Sequence, residues 1–231
     1  MSHRLGILGG TFDPIHVGHL AVAEAARRAL QLDRILIIPS HTPPHRTPEP
    51  GASAYHRFAM AAIAIADESG CLVSDMELAA GGVSYTSRTL ARLHEQGHPR
   101  GQLYFLTGAD AFGEIATWKN YPALLDQAHF AVVSRPGCSV EDLRRRLPDL
   151  AGRMIDALGE PLHPPAGGGT AIFLIDAATP DVSGTAIRTR AAASESLSGL
   201  VTPGVEAHIR RHHLYTTAAD LALRPAGRLH D

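Results

Sequence analysis

Short apolar runs alternate along this chain with longer stretches of helical composition, and this alternation limits the possible folds more than any other feature. The apolar runs are followed by glycine, proline or polar residues, as at Gly9-Gly10 and at Gly108. Strands that alternate with helices of about 10–15 residues are typical of a parallel sheet joined by crossover helices. The sequence therefore predicts an α/β fold: a doubly wound parallel sheet with helices on both faces and further helices at the C-terminus.

The same patterns give approximate bounds for the elements. Strands or extended segments are predicted at residues 4–8, 34–38, 71–76, 103–106, 130–134 and 171–175, the last being the final strand. Helices are predicted at residues 17–30, 54–66, 86–96, 140–147, 185–194 and 203–212, and Pro/Gly-rich loops at 41–51 and 159–169. Ligands of such sheets bind beyond the carboxyl ends of the strands. The polar or glycine residues expected at this rim are Gly9, Gly10, His41, Gly108, Asp110, Arg135 and Asp176.

Length and composition set further limits. The 231 residues suit one α/β domain, which we place at residues 1–215, followed by a loosely held tail at 216–231. The formal net charge of −2 provides no basic surface, which argues against a nucleic-acid binder. Cys71 and Cys138 lie far apart and outside any CxxC pattern, as expected in a reducing compartment. Because no leader peptide precedes the first strand and no apolar run approaches about 18 residues, we expect a cytoplasmic protein without membrane contact.

The densest motif lies at residues 6–20 and joins the first strand to the first helix. Gly9 and Gly10 end the strand, where the missing Cβ atoms let the backbone approach a phosphate. His16 and His19 are three residues apart near the helix start, so both rings project on one side. A helix N-terminus also presents free N–H groups and partial positive charge to an anion. This combination predicts a phosphate site in which two imidazoles stabilise charge that develops during a reaction.

Other interpretations of these histidines remain open. Two histidines at this spacing also occur as surface or packed core residues, and as ligands of a metal ion. A zinc site would need further ligands, and no nearby cluster of Cys or His supplies them, so no protein-held metal is predicted. A P-loop is missing, since the only lysine is Lys119. A GxGxxG dinucleotide motif and a GxSxG nucleophile elbow are also missing from the sequence.

A second motif, at residues 182–188, opens the first of the two C-terminal helices. Ser183 and Thr185 are placed to cap this helix and to contact phosphate. Arg188 follows one turn later, and its planar guanidinium suits a polyphosphate. An ordinary helix cap followed by a solvent-facing arginine is the alternative interpretation of this segment.

Together the two motifs closely resemble the signature of the nucleotidylyltransferase superfamily, HxGH followed far downstream by SSTxIR. Gly184 stands where the second motif has its second serine. The segment from Pro39 to Arg46 further resembles the PxxxPPHK segment of bacterial nicotinate-nucleotide adenylyltransferases, with arginine in place of the lysine. The segments 84–86, 108–111, 134–137 and 202–215 also match that family in order, as does Trp118. The resemblance covers roughly residues 5–215, whereas the 137–170 region is longer and less typical.

The resemblance implies a Rossmann-like fold and an ATP-dependent enzyme of NAD biosynthesis. It would transfer AMP from ATP to nicotinate mononucleotide, forming deamido-NAD and pyrophosphate, with Mg²⁺ carried by ATP. The implied catalytic residues are His16, His19 and Arg188. The implied ATP-binding residues are Gly9, Gly10, Thr11, Phe12, Gly108, Asp110, Ser183 and Thr185. The implied nicotinate nucleotide-binding residues are His45, Arg46, Tyr85, Thr86, Trp118 and Arg135.

The nicotinate assignment also has a basis in the residues themselves. Trp118 is the only tryptophan and could stack on a pyridine ring, and Tyr85 and Thr86 begin a helix whose N–H groups could receive a carboxylate. Core packing and simple helix entry are the alternatives for these three residues.

Three other functions remain under consideration. The first is a related nucleotidyltransferase that acts on nicotinamide mononucleotide or phosphopantetheine, or that uses a cytidine nucleotide. The second is a non-catalytic nucleotide-binding regulator, and the third is a zinc-binding HxxH module. The sequence does not decide between a monomer and a homo-oligomer.

Overall fold

A parallel β-sheet organises the chain. The computed structural model describes residues 3–44, 51–157 and 168–216. Within these ranges seven strands form one sheet in the order β3-β2-β1-β4-β5-β7-β6, and every neighbouring pair is parallel. The strands are β1 (Leu5–Gly10), β2 (Arg34–Pro39), β3 (Cys71–Val73), β4 (Leu103–Gly108), β5 (His129–Val133), β6 (Met154–Asp156) and β7 (Ile172–Ile175).

Helices connect the strands and complete the C-terminal part. The α-helices are α1 (Val17–Leu30), α2 (Ala54–Ala64), α3 (Met76–Ala80), α4 (Thr86–Glu95), α5 (Ala109–Phe112), α6 (Leu143–Arg146), α7 (Gly184–Ala192) and α8 (Pro203–Arg211). Short 3₁₀ helices occur at Arg100–Gln102, Ile115–Thr117, Ala123–Asp126 and Pro148–Arg153. None of the helices within the described ranges combines the length and apolar character that crossing a bilayer requires.

The apolar core lies on both faces of the sheet. Successive residues of a strand point to opposite faces, so the neighbours Ile7 and Leu8 belong to two different buried clusters. Residues of α1, α2 and α8, such as Ala26, pack in the cluster that contains Leu8. Residues of α4 and α5, such as Leu90, pack in the cluster that contains Ile7. Helices therefore cover both faces, which confirms the predicted Rossmann-like, doubly wound sheet.

The strand order creates a crevice at the centre of the sheet. From β1 the chain moves outward through β2 to β3, and it then returns to place β4 on the other side of β1. The connections after β1 and β4 therefore leave in opposite directions, and a ligand-binding crevice forms beyond their carboxyl ends. Gly10 and Gly108 are the last residues of these two strands.

Three local predictions were wrong. The segment predicted as extended at 71–76 contains only the short β3, because Asp75 begins helix α3 at Met76. The helix predicted at 140–147 is reduced to Leu143–Arg146, since Leu147 precedes Pro148 and adopts φ −128°, as a residue before proline prefers. Strand β6 was not predicted; its three residues at the sheet edge are too short for a clear apolar pattern. Most of the predicted loop 159–169 and of the tail lies outside the described residues.

Candidate active site

A cavity of about 720 Å³ lies beyond the carboxyl ends of the central strands. Small-molecule sites usually occupy about 300–1,000 Å³. Its wall contains residues from the ends of β1 and β4, from the start of α4 and from the segment after β5. The predicted site residues that line it are Gly9, Gly10, Thr11, His19, Tyr85, Thr86, Gly108, Asp110, Trp118 and Arg135. His45 and Arg46 lie outside the described residues.

The turn after β1 folds back on the strand that it leaves. Phe12 adopts a left-handed backbone with φ 51°, and its ring lies over Gly10, where an added Cβ would be 2.9 Å from ring atoms. The ring is 1% exposed and contacts the His19 ring edge-on, with the centroids 5.0 Å apart. Gly10 is therefore required by close packing, and the Phe12 ring supports His19. Any contact of Phe12 with a nucleotide would come from its backbone.

His16 and His19 form a stacked pair at the start of α1. Their ring centroids are 3.7 Å apart, and the backbone N–H of His16 donates to Nδ1 of His19 at 3.2 Å. Because Nδ1 of His19 accepts this bond, the proton of the neutral imidazole is on Nε2. His19 lines the cavity, so its ring is part of the cavity wall. His16, in contrast, is only 4% exposed and lies beneath its partner.

Burial keeps His16 uncharged near neutral pH. Desolvation, with a smaller contribution from the Arg135 cation, lowers the pKa of His16 to about 4. Its Nδ1 is buried and has no hydrogen-bond partner among the described residues. An unsatisfied buried polar atom typically costs about 1–3 kcal/mol. The site thus holds one neutral imidazole whose hydrogen bonding is incomplete in this structure.

This burial predicts a pH dependence of stability. In the unfolded chain a histidine binds its proton near pH 6.5, whereas folded His16 and the buried core residue His129 each bind theirs at about 4. Between these values the unfolded state carries more protons. The free energy of unfolding should therefore fall as the pH decreases from about 7 to about 4, by up to about 1.4 kcal/mol per pKa unit for each histidine.

Urea unfolding at about pH 7.5 and about pH 5 measures this slope. His129 lies far from the cavity, and its Nδ1 accepts the backbone N–H of Ala171 at 3.0 Å. His129→Gln keeps an acceptor there but removes the titrating group, so its slope should be shallower than that of the unaltered protein. Equal slopes would contradict the prediction.

Asp13 joins its own turn to three distant parts of the chain. Its buried carboxylate accepts the backbone N–H groups of Gly51 at 2.9 Å and Ala52 at 3.1 Å. Oδ1 also accepts the Tyr215 hydroxyl at 2.9 Å, and Oδ2 lies 3.5 Å from Nη1 of Arg188. In the sequence, Asp13 stands before Pro14 and has only the features of a turn residue. It is a structural centre of the turn between β1 and α1.

The second motif lies against this turn and outside the cavity wall. The Ser183 hydroxyl accepts the N–H of Ala186 at 3.2 Å, which confirms the predicted helix cap. Arg188 donates from Nη1 to the Asp13 carbonyl at 2.7 Å and from Nη2 to the Thr185 hydroxyl at 3.1 Å. Arg188 is therefore held by hydrogen bonds within the protein. The alternative interpretation, in which this arginine simply faces solvent, is wrong.

Gly184 replaces the second serine of the SSTxIR motif, and other atoms lie close to its Cα. A Cβ there would lie 3.0 Å from the carbonyl oxygen of Asp13 and 3.3 Å from Nη1 of Arg188. The glycine lets α7 approach the turn between β1 and α1 closely, and a serine would require that turn to shift by a few tenths of an ångström.

Gly108 brings two polar side chains together at the end of β4. A Cβ at this position would overlap the Asp110 carboxylate and would come within 2.9 Å of the Arg135 side chain. Arg135 also approaches His16 and reaches the Val182 carbonyl with Nη2 at 3.5 Å. The rim therefore presents the Asp110 carboxylate and the Arg135 side chain together over the bare backbone of Gly108.

Aromatic side chains line another part of the cavity wall, here called the aromatic end. Trp118 contacts Phe105 edge-on, with centroids 5.8 Å apart at 85°, and it lines the cavity. Tyr85 is the N-cap residue of α4, and Thr86 is the first residue of that helix. Nζ of Lys119 lies 4.3 Å from the centroid of the Tyr85 ring. An aromatic side chain, a helix N-terminus and a cation thus surround this end, which suits an anionic aromatic group.

Arg57 is a component of the site that sequence analysis missed. It is 1% exposed, and its guanidinium donates to the carbonyls of Thr11 at 2.7 Å, His41 at 3.0 Å and Ala52 at 3.3 Å. These bonds fix the turns that follow β1 and β2. Nothing in the sequence distinguishes this arginine from an exposed one on a helix, since only the fold brings the three carbonyls to it.

Metal-binding side chains do not cluster at the rim. Across residues 3–44, 51–157 and 168–216, no group of three or more His, Cys, Asp or Glu side chains has an arrangement that could hold a metal ion.

Comparisons with known proteins agree with this geometry. The model of the cytidylyltransferase-like family matches residues 7–190. A probable nicotinate-nucleotide adenylyltransferase of Geobacter sp. (strain M21) is 39% identical over 221 residues, covering 93% of this chain and 99% of the relative. One of Roseiflexus sp. (strain RS-1) is 42% identical over 214 residues, covering 93% and 98%.

A solved structure shares the fold at low identity. It is the Plasmodium falciparum nicotinic acid mononucleotide adenylyltransferase complexed with NaAD, with a TM-score of 0.69 and 18% identity, covering 92% of this chain and 97% of that one.

Proposed function

This chain belongs to the cytidylyltransferase-like family and, within it, to the nicotinate-nucleotide adenylyltransferases, and on that premise we propose how its rim transfers AMP from ATP to nicotinate mononucleotide. The products are nicotinate adenine dinucleotide (deamido-NAD) and pyrophosphate. One observation supports assigning the AMP transfer to this cavity. A single continuous space joins the glycines and His19 of the β1–α1 turn to Tyr85, Thr86 and Trp118 at the aromatic end.

The chemistry requires positioning more than proton transfer. A phosphate oxygen of nicotinate mononucleotide attacks the α-phosphorus of ATP, the bond from that phosphorus to the bridging oxygen breaks, and pyrophosphate leaves. A phosphomonoester has a second pKa of about 6, so the attacking oxygen is already ionised near neutral pH. The protein therefore has to align the two phosphates and stabilise the negative charge that develops on the leaving group.

We assign the phosphate end to the β1–α1 turn. Nε2–H of His19 donates to the phosphate oxygens at the reaction centre, and the backbone N–H of His16 keeps His19 in this tautomer by donating to Nδ1. His16 contacts the phosphates only after a small movement, since its ring is buried here. The bare backbone at Gly9 and Gly10 admits the phosphates beside the start of α1.

The remaining ATP contacts come from β4 and from α7. Asp110 is placed to accept hydrogen bonds from a ribose hydroxyl or another nucleotide group at the rim. The side chains of Ser183, Thr185 and Arg188 approach the β- and γ-phosphates from outside the cavity wall. Mg²⁺ enters as part of the ATP substrate, held by phosphate oxygens and water, which is its usual mode of binding to nucleotides.

We assign the aromatic end to the nicotinate ring. The exposed face of Trp118 stacks on the pyridine, and the N–H groups at the start of α4 receive the carboxylate. An uncharged amide would gain less from a helix N-terminus than a carboxylate does. The site should therefore prefer nicotinate mononucleotide to nicotinamide mononucleotide.

Pyrophosphate release from Mg-ATP tests the function directly. We expect turnover with nicotinate mononucleotide and, since each contact to a charged group contributes about 1.5–3 kcal/mol, kcat/KM lower by about tenfold or more with nicotinamide mononucleotide. In parallel reactions phosphopantetheine replaces nicotinate mononucleotide as the acceptor, or CTP replaces ATP as the nucleotide donor. Faster turnover with either would assign the chain to another member of the superfamily. ATP binding without pyrophosphate release would favour the regulator, and stoichiometric zinc would favour the HxxH module.

A further inference from the structure

Tyr215 contacts the turn between β1 and α1, although it lies 202 residues after Asp13 in the sequence. It lies just after α8, and its ring packs over Gly51, where an added Cβ would be 3.0 Å from the ring. Its hydroxyl donates to Oδ1 of Asp13 at 2.9 Å, across 202 residues of sequence. Burial, the Asp13 charge and this hydrogen bond raise the pKa of the Tyr215 hydroxyl, so it remains a donor at neutral pH.

Asp13 also contacts Arg188, so it links Tyr215 to the Arg188 side chain. The Asp13 carbonyl accepts Nη1 of Arg188 at 2.7 Å, while the carboxylate Oδ2 remains 3.5 Å from the same nitrogen. The carboxylate is therefore held by Tyr215, Gly51 and Ala52, and it stops short of a close ion pair with the guanidinium. This arrangement leaves other N–H groups of Arg188 available to an anion, because guanidinium has five donors.

We propose that Tyr215 is a positioning residue for ATP: its hydroxyl holds the Asp13 carboxylate in place, so that Arg188 presents its guanidinium to the polyphosphate. The inference rests on the proposed function, since it takes Arg188 as a phosphate ligand. Tyr215 touches no reacting atom and acts only through these two residues. It also gives a physical role to the end of the 202–215 segment.

Removing the hydroxyl should release the carboxylate. In Tyr215→Phe the ring still packs over Gly51, but Oδ1 of Asp13 loses a donor. The charged carboxylate then moves toward Nη1 of Arg188 and draws the guanidinium away from the β- and γ-phosphates. We expect the KM for ATP to rise about tenfold, the change that corresponds to one hydrogen bond to a charged group. The KM for nicotinate mononucleotide should not change, because the hydrogen bonds of Tyr215 and Arg188 do not involve Trp118 or Thr86.

Tyr104→Phe is a matched control. Its hydroxyl is also buried, but it has no hydrogen-bond partner among the described residues, and it lies in the core beside His129. This variant should keep both KM values. Initial rates and the melting temperature are measured for both variants. A lower melting temperature of Tyr215→Phe with an unchanged KM for ATP would overturn the proposal, as would an equal rise of both KM values.

Combining Tyr215→Phe with Arg188→Met tests whether Tyr215 acts through the Arg188 guanidinium or contacts ATP directly. If Tyr215 acts through the guanidinium, adding Tyr215→Phe to Arg188→Met leaves the KM for ATP unchanged. A further rise of about tenfold in the double variant would contradict that route. Failure of the unaltered protein to release pyrophosphate would instead reject the proposed function. If the unaltered protein releases pyrophosphate normally and Tyr215→Phe has the same KM for ATP as Tyr104→Phe, only the proposed role of Tyr215 is rejected.

Discussion

Replacing His19 with alanine is expected to lower kcat by about 10²–10³-fold, because one donor that stabilises developing phosphate charge is lost. The side chain lies at the cavity wall, where its Nε2–H is directed by the hydrogen bond that Nδ1 accepts from His16. It contributes little to the apolar core, so circular dichroism and thermal unfolding should show a folded protein. Steady-state pyrophosphate release measures the effect.

Two companion variants define what His19 does. His19→Gln can place an amide N–H close to the position of Nε2 and should recover part of the lost kcat. His98→Ala removes a half-buried histidine between α4 and β4, away from the cavity, and should behave like the unaltered protein. Nearly normal turnover by His19→Ala would reject the proposed phosphate contact, whatever the companion variants show.

Replacing Trp118 with alanine should raise the KM for nicotinate mononucleotide by about 10–100-fold, the range expected when a stacking contact of about 1–3 kcal/mol is lost. The ring packs edge-on against Phe105, which fixes its orientation at the cavity wall. The stacking exists before and during the reaction, so its loss affects binding more than kcat. The KM for ATP should change little. Initial rates with each substrate varied in turn measure the three constants.

Trp118→Phe tests whether the aromatic face is responsible. It keeps a ring that can stack and should recover most of the affinity for nicotinate mononucleotide. If Trp118→Ala and Trp118→Phe raise the KM equally, the residue acts through packing against Phe105 and not by stacking on the substrate. An unchanged KM in both variants would move the nicotinate site elsewhere.

Strong local patterns allowed much of the fold to be predicted. Five of the seven strands were predicted as buried apolar runs, and their bounds differ from the structure by one or two residues at most ends. The predictions were wrong where local patterns are weak or short, at β6, at Met76 and at 140–147. The rim was also predictable, because parallel strands place their carboxyl ends on the same edge of the sheet.

The contacts around Asp13 were beyond sequence reasoning. Asp13 lies 175 residues from Arg188 and 202 residues from Tyr215 in the sequence, and a turn aspartate, a C-terminal tyrosine and a helix arginine each have ordinary local explanations. Arg57 is a comparable case, since its three carbonyl partners come from separate turns. Such contacts depend on how the elements pack, which no local pattern encodes.

The sequence by itself determined the class of fold, the strand ends that form the rim, and the types of side chain that meet there. These follow from hydrophobic periodicity and from glycine and helix-start residues, which act over a few positions of the chain. The tertiary structure decided how those side chains are used. Burial makes His16 neutral, the His16 backbone sets the tautomer of His19, and Asp13 joins Arg188 to Tyr215. Desolvation and long-range hydrogen bonds arise only when distant segments come together, so they appear only in the folded chain.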